Sequence, residues 1–222
     1  MILQNCKFCR LTPDLIATCA PFSCSKESDI NTFFHTEYED YNHQLLGKTY
    51  CFVTEKSHHI ACAFTLANSS IKVDFIPKRK RNFLNRKIPN VKRRSQYPAV
   101  LVAQLAVFDG FHGQDLGTDL MDFIKAWFID PLNKTGCRYI VVDAINKPRV
   151  LQYYHDNGFN FIFDDERDET DYVRHIESSN SWIRRILPKW FHPQNSNQEY
   201  RQTRLMYFDM ITLQQPNTEK HS

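Results

Sequence analysis

Hydrophobic residues fall along this chain in two rhythms. Residues 99–108, AVLVAQLAVF, are apolar almost throughout, as in a strand covered on both faces. From 116 to about 129, Leu116, Leu120, Phe123, Ile124 and Trp127 recur at i, i+4, i+7, i+8 and i+11, the stripe of an amphipathic helix, and Pro131 lies just past its end. RYIVVDA (138–144) reads as a second buried strand. PRVLQYYHDNG follows as a short helix, with Pro148 suited to its first turn and Gly158 to its end. FNFIF and TRLMYFDMITL read as further strands. In the first half, CKFCRL suggests a strand, and the segment beginning SCSKESDINTFF suggests a helix, with Ser25 as cap and Ile30, Phe33 and Phe34 at helical spacing. KTYCFVTE and HIACAFTLA flank KSH as a hairpin, and SIKVDFI extends the second run or forms another strand. Strands alternating with helices in the second half predict a single α/β domain over 1–222. The alternation argues for a sandwich with a mixed sheet.

Composition narrows the class. The 222 residues are 42% hydrophobic and 14% aromatic, a globular rather than a disordered composition. No run of about 18 apolar residues predicts a membrane span, and MILQNCKFCR lacks the regions of a signal peptide, so the cytoplasm is the expected compartment. Seven cysteines, an odd number, then read as thiols rather than a disulfide framework.

Charge is segregated. Residues 78–94, KRKRNFLNRKIPNVKRR, hold nine of the 28 basic residues and no acidic one, whereas elsewhere acidic residues outnumber basic ones 25 to 19. This segment, within about 76–97, reads as a long loop or insertion with a short helix around RNFLNR. DDERDETD (164–171) is six-eighths acidic and reads as the start of a surface insertion reaching about 203, able to screen the basic segment.

Three features carry candidate chemistry, and each has a structural alternative. The turn at 112–118, His112-Gly113-Gln114-Asp115-Leu116-Gly117-Thr118, leads from a strand into a helix, whose unpaired N–H groups bind phosphates. The same glycines serve an ordinary strand–helix connection. Asn146 ends a strand at the carboxyl edge of the sheet, where ligands of α/β folds collect, or it caps the helix starting at Pro148. In YYHDNGF (153–159), one tyrosine can pack inward while the other keeps its hydroxyl toward a cleft; the alternative is a packed aromatic pair.

In order and spacing the three together resemble the GNAT (Gcn5-related) N-acetyltransferase family, whose pyrophosphate loop follows the pattern Gln/Arg-x-x-Gly-x-Gly/Ala. The resemblance covers most of the chain apart from the basic segment and residues 164–203. FSCSKESDINTFF, YCFVTE and IACAFTLANSSI are similar to the opening helix and hairpin of its toxin–antitoxin branch. The resemblance implies a mixed, mostly antiparallel central sheet flanked by helices on both faces, and acetyl transfer from acetyl-CoA, as co-substrate, to a primary amine. The strand at Leu105, Ala106 and Val107 would pair with the pantetheine arm. Residues 112–118 would hold the pyrophosphate, Asn146 would lie near the arm, and Tyr154 would protonate the departing CoA thiolate. Implied partners are the amine acceptor, an antitoxin, a second copy of the chain, and tRNA through residues 78–94, whose charges match phosphates. Trp182, Trp190 and Phe191, mixed with Arg184, Arg185 and Lys189, would add stacking.

Two positions depart from the family pattern. His112 stands where Gln or Arg is usual, and Asp115 stands where a glycine is usual; a carboxylate there repels a pyrophosphate unless it points away or caps the helix. Gln104, where a general base is often found, cannot take a proton, which suits an amine of low pKa such as an aminoacyl α-amine. Two rival readings stand: an acetyltransferase acting on proteins or small molecules, and a non-catalytic scaffold that binds RNA. Cys6-x2-Cys9 with Cys19 and Cys24 has only a superficial likeness to a zinc site, because residues three apart on a strand face opposite sides.

Overall fold

The computed structural model describes residues 2–24, 27–86, 88–179 and 202–214. Its strands are β1 (Cys6–Arg10), β2 (Lys48–Thr54), β3 (Ile60–Lys72), β4 (Gln96–Val107), β5 (Tyr139–Ile145), β6 (Asn160–Phe161) and β7 (Thr203–Asp209), joined in one sheet of order β1-β2-β3-β4-β5-β7-β6. Every pairing is antiparallel except β4 with β5. The helices are α1 (Pro13–Thr18), α2 (Ser28–Thr32), a π-helical turn over Phe33–Glu37, α3 (Tyr38–His43), α4 (Lys78–Leu84), α5 (Leu116–Ile129), α6 (Pro148–Asp156) and α7 (Glu166–Ser179).

Side-chain alternation along the strands divides the core between the two faces of the sheet. On one face Phe52, Phe64, Val100, Val102, Ile140 and Val142 pack against Leu116, Leu120, Met121 and Ile124, the stripe read from the sequence of α5, with α6 alongside. The other face carries two cores. Cys51, Ala63 and Ala106 lie beneath Phe33, Phe34 and Tyr38, while Ala99, Tyr139, Val141 and Tyr207 lie beneath Leu84 of α4 and Tyr172 of α7. Cys6 packs into the first core and Cys9 into the second, so β1 turns them to opposite faces.

Several local expectations are met by local causes. SIKVDFI extends β3 to Lys72. Pro148 opens α6, and Gly158, at φ +81°, closes it by donating to the His155 carbonyl at 2.8 Å. Others need correction. PDLIAT forms α1, capped by the Thr12 side chain accepting from the Leu15 N–H at 3.2 Å, which the hydrophobic pattern did not predict. The short helix expected around RNFLNR in the basic segment is present but starts earlier, as α4 over Lys78–Leu84; Leu84 is buried, and its carbonyl accepts from the Tyr139 hydroxyl at 3.1 Å. The acidic stretch is not all surface. Glu169 is fully buried, pairs with Arg204 at 2.8 Å and accepts from the Leu205 N–H, which fastens α7 to β7. Ser25, read as a cap, lies outside the described residues; Glu27 takes the N-cap position of α2. No helix among the described residues is long and apolar enough to cross a membrane.

Candidate active site

Strands β4 and β5 form a fork. They pair only from Ala99–Tyr139 to Leu101–Val141, yet β4 continues to Val107 and β5 to Ile145. The divergence begins at a β-bulge in β4. Thr65 faces Gln104 and Leu66 faces Val102, so Ala103 is the extra residue. The bulge reverses the alternation: Val100 and Val102 point to the α5 face, and beyond it Leu105 and Val107 do so while Ala106 points away. The Phe108 N–H donates to the Ala61 carbonyl on β3 at 3.0 Å. By alternation, Leu105 and Val107 therefore turn their backbone groups toward the open fork. The Val107 carbonyl is already held by the His112 ring, whose Nε2 donates to it at 2.6 Å, so His112 braces the strand end with its side chain.

The turn after β4 exposes a run of amides. Gly113 (φ +77°) and Asp115 (φ +55°) both adopt the left-handed conformation, Gly without steric cost and Asp as one of the few side chains that tolerate it. The N–H groups of Gly113, Gln114, Asp115, Leu116 and Gly117 have no hydrogen-bond partner among the described residues; the first to find one is Thr118, which donates to the Asp115 carbonyl at 3.0 Å. Alternating backbone hands that leave successive N–H groups converging make an anion nest, here backed by the positive end of a 14-residue helix. Leu116 anchors the turn in the core. The Asp115 carboxylate is exposed and makes no capping bond, so its charge is not absorbed by the helix.

α6 delivers the two tyrosines differently. The Tyr153 hydroxyl donates to the Gly117 carbonyl at 2.7 Å. The Tyr154 ring packs against Phe159, with centroids 5.4 Å apart, and its hydroxyl has no partner among the described residues. Burial, and then the Asp143 carboxylate, push the Tyr154 phenol well above its ordinary range, so it stays protonated at neutral pH. Asp143 lies on β5 two residues beyond the last paired position, inside the fork; its signal was a lone carboxylate in the apolar run of VVDAIN. Asn146 neither caps α6, whose N-cap is Lys147, nor stands alone. Its Nδ2 donates to Glu166 at 3.3 Å and its N–H to the Gln202 carbonyl at 2.8 Å.

On the opposite face, α4 and the turn after it form a cleft of about 420 Å³ whose lining includes Arg79, Lys80, Asn82, Phe83, Arg86 and Asp164. Phe83 is 56% exposed, and the Arg86 guanidinium lies 5.9 Å from its ring centre. Lys80 pairs with Asp164 at 2.8 Å, and its hydrogen bond holds that carboxyl below the usual range. The acidic stretch thus screens one lysine of the basic segment. Trp182, Trp190, Phe191, Arg184, Arg185 and Lys189 lie outside the described residues.

No family model matches the sequence, and no curated protein matches it. Solved structures do match in fold. A Tyr-to-Phe mutant of KacT is 15% identical, with 95% of this chain and 98% of that one covered at a TM-score of 0.56. AtaT complexed with acetyl-methionyl-tRNAfMet is 16% identical, with 94% and 96% covered and a TM-score of 0.55. A Tyr-to-Phe mutant of the AtaT toxin, bound to the C-terminus of the antitoxin AtaR and acetyl-CoA, is 14% identical, with 94% and 96% covered and a TM-score of 0.51. The chain therefore has the GNAT-like α/β fold of these toxins, including the mixed sheet expected from its sequence.

Proposed function

We propose that this protein transfers the acetyl group of acetyl-CoA to a primary amine. The observation that carries the proposal is the run of five amides, Gly113 to Gly117, without a partner among the described residues, in the turn that follows β4 past the β4–β5 fork. The nest suits a pyrophosphate, and the open edge at Leu105 and Val107 suits the amide-bearing arm that follows it. The AtaT toxin bound to acetyl-CoA, alike in fold, supports the same ligand.

The amine nitrogen attacks the thioester carbonyl; a C–N bond forms and the C–S bond breaks. Tyr154 gives its proton to the departing sulfur, and the proton released by the new ammonium restores it, so the products are the N-acetyl amide and the free thiol. The raised phenol pKa makes any phenolate short-lived and keeps the donor loaded. Asn146 would steady the β5 side of the arm through its tie to Glu166. Position 104 holds an amide that cannot deprotonate an ammonium, which favours an amine that arrives neutral. An α-amine, with a pKa near 8, does so far more readily than a lysine.

The acceptor that suits these conditions best is the α-amine of an aminoacyl-tRNA. The cleft at α4 offers guanidinium groups for phosphates and the exposed Phe83 ring for a base. The AtaT complex with acetyl-methionyl-tRNAfMet supports this acceptor, and the AtaR complex supports an antitoxin as partner. One observation favours the rival of a non-catalytic RNA-binding scaffold: the uncapped Asp115 carboxylate beside the nest.

Thermal unfolding with and without acetyl-CoA separates the two. At 100 times Kd a ligand adds about 2.7 kcal/mol, a rise of roughly 5–10 °C for a chain of this size. Such a rise, followed by thiol release with charged tRNA, supports the enzyme; no rise at millimolar acetyl-CoA sinks it. Thiol release with lysine-bearing peptides but not with charged tRNA would move the acceptor to proteins.

A further inference from the structure

Gln104 is a polar side chain with nowhere to go. It is 4% exposed, and neither its Nε2 nor its Oε1 has a hydrogen-bond partner among the described residues. Its cross-strand neighbour Thr65 does not serve it: that hydroxyl pairs with the Thr49 hydroxyl at 2.9 Å instead. Folded proteins rarely leave both ends of a buried amide unsatisfied, and when they do the site calls for an explanation. The position supplies one. Gln104 lies three residues past the last β4–β5 pair, at the fork, and the bulge at Ala103 turns it to the same face as Ala106, away from α5. The amide nest and the tyrosines of α6 belong to the α5 side. Gln104 therefore lies where the fork opens, on the face of the sheet opposite the nest.

We infer that Gln104 orients the acceptor, an inference that rests on the acetyl-transfer reading above. Its Oε1 accepts a hydrogen bond from one N–H of the acceptor amine, which aims the nitrogen lone pair at the fork. Its Nε2 donates to a carbonyl on the same acceptor. A primary amide with both ends free is matched by a ligand that carries a donor and an acceptor close together, as an α-aminoacyl group does and a simple alkylamine does not. Gln104 is thus a specificity-determining residue, and a neutral amide holds a neutral amine where a carboxylate would hold an ammonium.

The test uses methioninamide as acceptor and N-acetylmethioninamide with CoA as a product-side ligand. In Gln104→Leu, thiol release with methioninamide should fall at least tenfold in kcat/KM while release with butylamine changes little. The acetyl-CoA shift in unfolding temperature should stay as in the wild type, and the variant should be no less stable, since it removes two unsatisfied polar atoms. Gln104→Met guards against misfolding of the first variant. Gln104→Glu should shift preference from methioninamide toward butylamine near neutral pH, where butylamine is an ammonium that a carboxylate can hold. Wild-type kcat/KM for methioninamide in both apolar variants would overturn the inference. If the wild type transfers no acetyl group at all, the function proposed above fails separately. Gln104 is then judged by N-acetylmethioninamide alone: a wild-type shift lost in both variants supports it, and no wild-type shift overturns it.

Discussion

The Tyr153 hydroxyl donates to the Gly117 carbonyl at 2.7 Å, and a Cβ on Gly117 would stand 3.2 Å from Cε2 of the same ring. One bond and one close approach thus lock α6 onto the first turn of α5 and set the aim of the amide nest. Tyr153→Phe keeps the ring and loses the bond, which should cost about 1 kcal/mol of stability and weaken acetyl-CoA binding by a few-fold. Gly117→Ala crowds the ring and should weaken binding more. Urea midpoints together with calorimetric titration of acetyl-CoA check both. Unchanged affinity in Gly117→Ala would mean the nest does not depend on this contact.

Tyr154 should behave in the opposite way. Its hydroxyl has no partner among the described residues, so Tyr154→Phe should leave stability within about 0.5 kcal/mol of wild type. If the phenol serves the departing thiolate, kcat should fall roughly 10²–10⁴-fold with acetyl-CoA affinity retained. Single-turnover thiol release on the two Tyr→Phe variants decides which tyrosine is the acid, and a larger loss in Tyr153→Phe would reverse the assignment.

What the sequence made legible was local. The stripe of α5, the ends of α6 and the buried run of β4 follow from periodicity and end signals within a dozen residues. The facing of Gln104 did not: the residues that face α5 shift from Val100 and Val102 to Leu105 and Val107 across Ala103, and Leu101 between the first two hides the change in a run read as almost wholly apolar. α4 was legible only in part, around RNFLNR, because one buried residue, Leu84, anchors a helix whose other side chains are mostly charged. Glu169 could not be told from its acidic neighbours, since its burial depends on Arg204, 35 residues further on. The divergence of β4 from β5 is a property of pairing between strands, and no single stretch encodes it.

Glu169 gives the third prediction. It is fully buried against an Arg204 that is 9% exposed. Removing Glu169 leaves Arg204 with Glu166 at 3.5 Å and the Phe163 carbonyl at 3.2 Å but takes away its shortest ion pair, so Glu169→Ala should cost about 3 kcal/mol and expose β7 to faster hydrogen exchange. Replacing both partners with apolar residues should recover much of the loss. Failure of the double variant to recover would locate the pair's value in its other contacts, among them the Leu205 N–H.

Alkali should unfold the protein through its buried phenols. Burial pushes Tyr172 and Tyr207 up to about 12, with Asp209 adding to the rise at Tyr207. Their unfolded value is near 10, so the folded state holds the proton more tightly. This contribution is complete below pH 10 and lost as pH rises from 10 to 12, at about 1 kcal/mol per phenol by pH 11. Urea midpoints should hold level from pH 8 to 9.5 and then decline. A level midpoint at pH 11 would show that these phenols ionise without unfolding cost.

Asp115 is where the turn most resists the proposed ligand. Its left-handed backbone is one that glycine adopts freely, its carboxylate is exposed, and it makes no capping bond. Asp115→Gly therefore keeps the amide nest and deletes a negative charge beside it. At about 4 Å in water, one such charge costs about 1 kcal/mol against a bound phosphate, so the variant should bind acetyl-CoA about fivefold more tightly, with the gain shrinking at high salt. Asp115→Asn, which also tolerates this conformation, should give most of the same gain and so separate charge from backbone freedom. Looser binding in both variants would show that the carboxylate supports the nest, and that the turn is built for something other than a pyrophosphate.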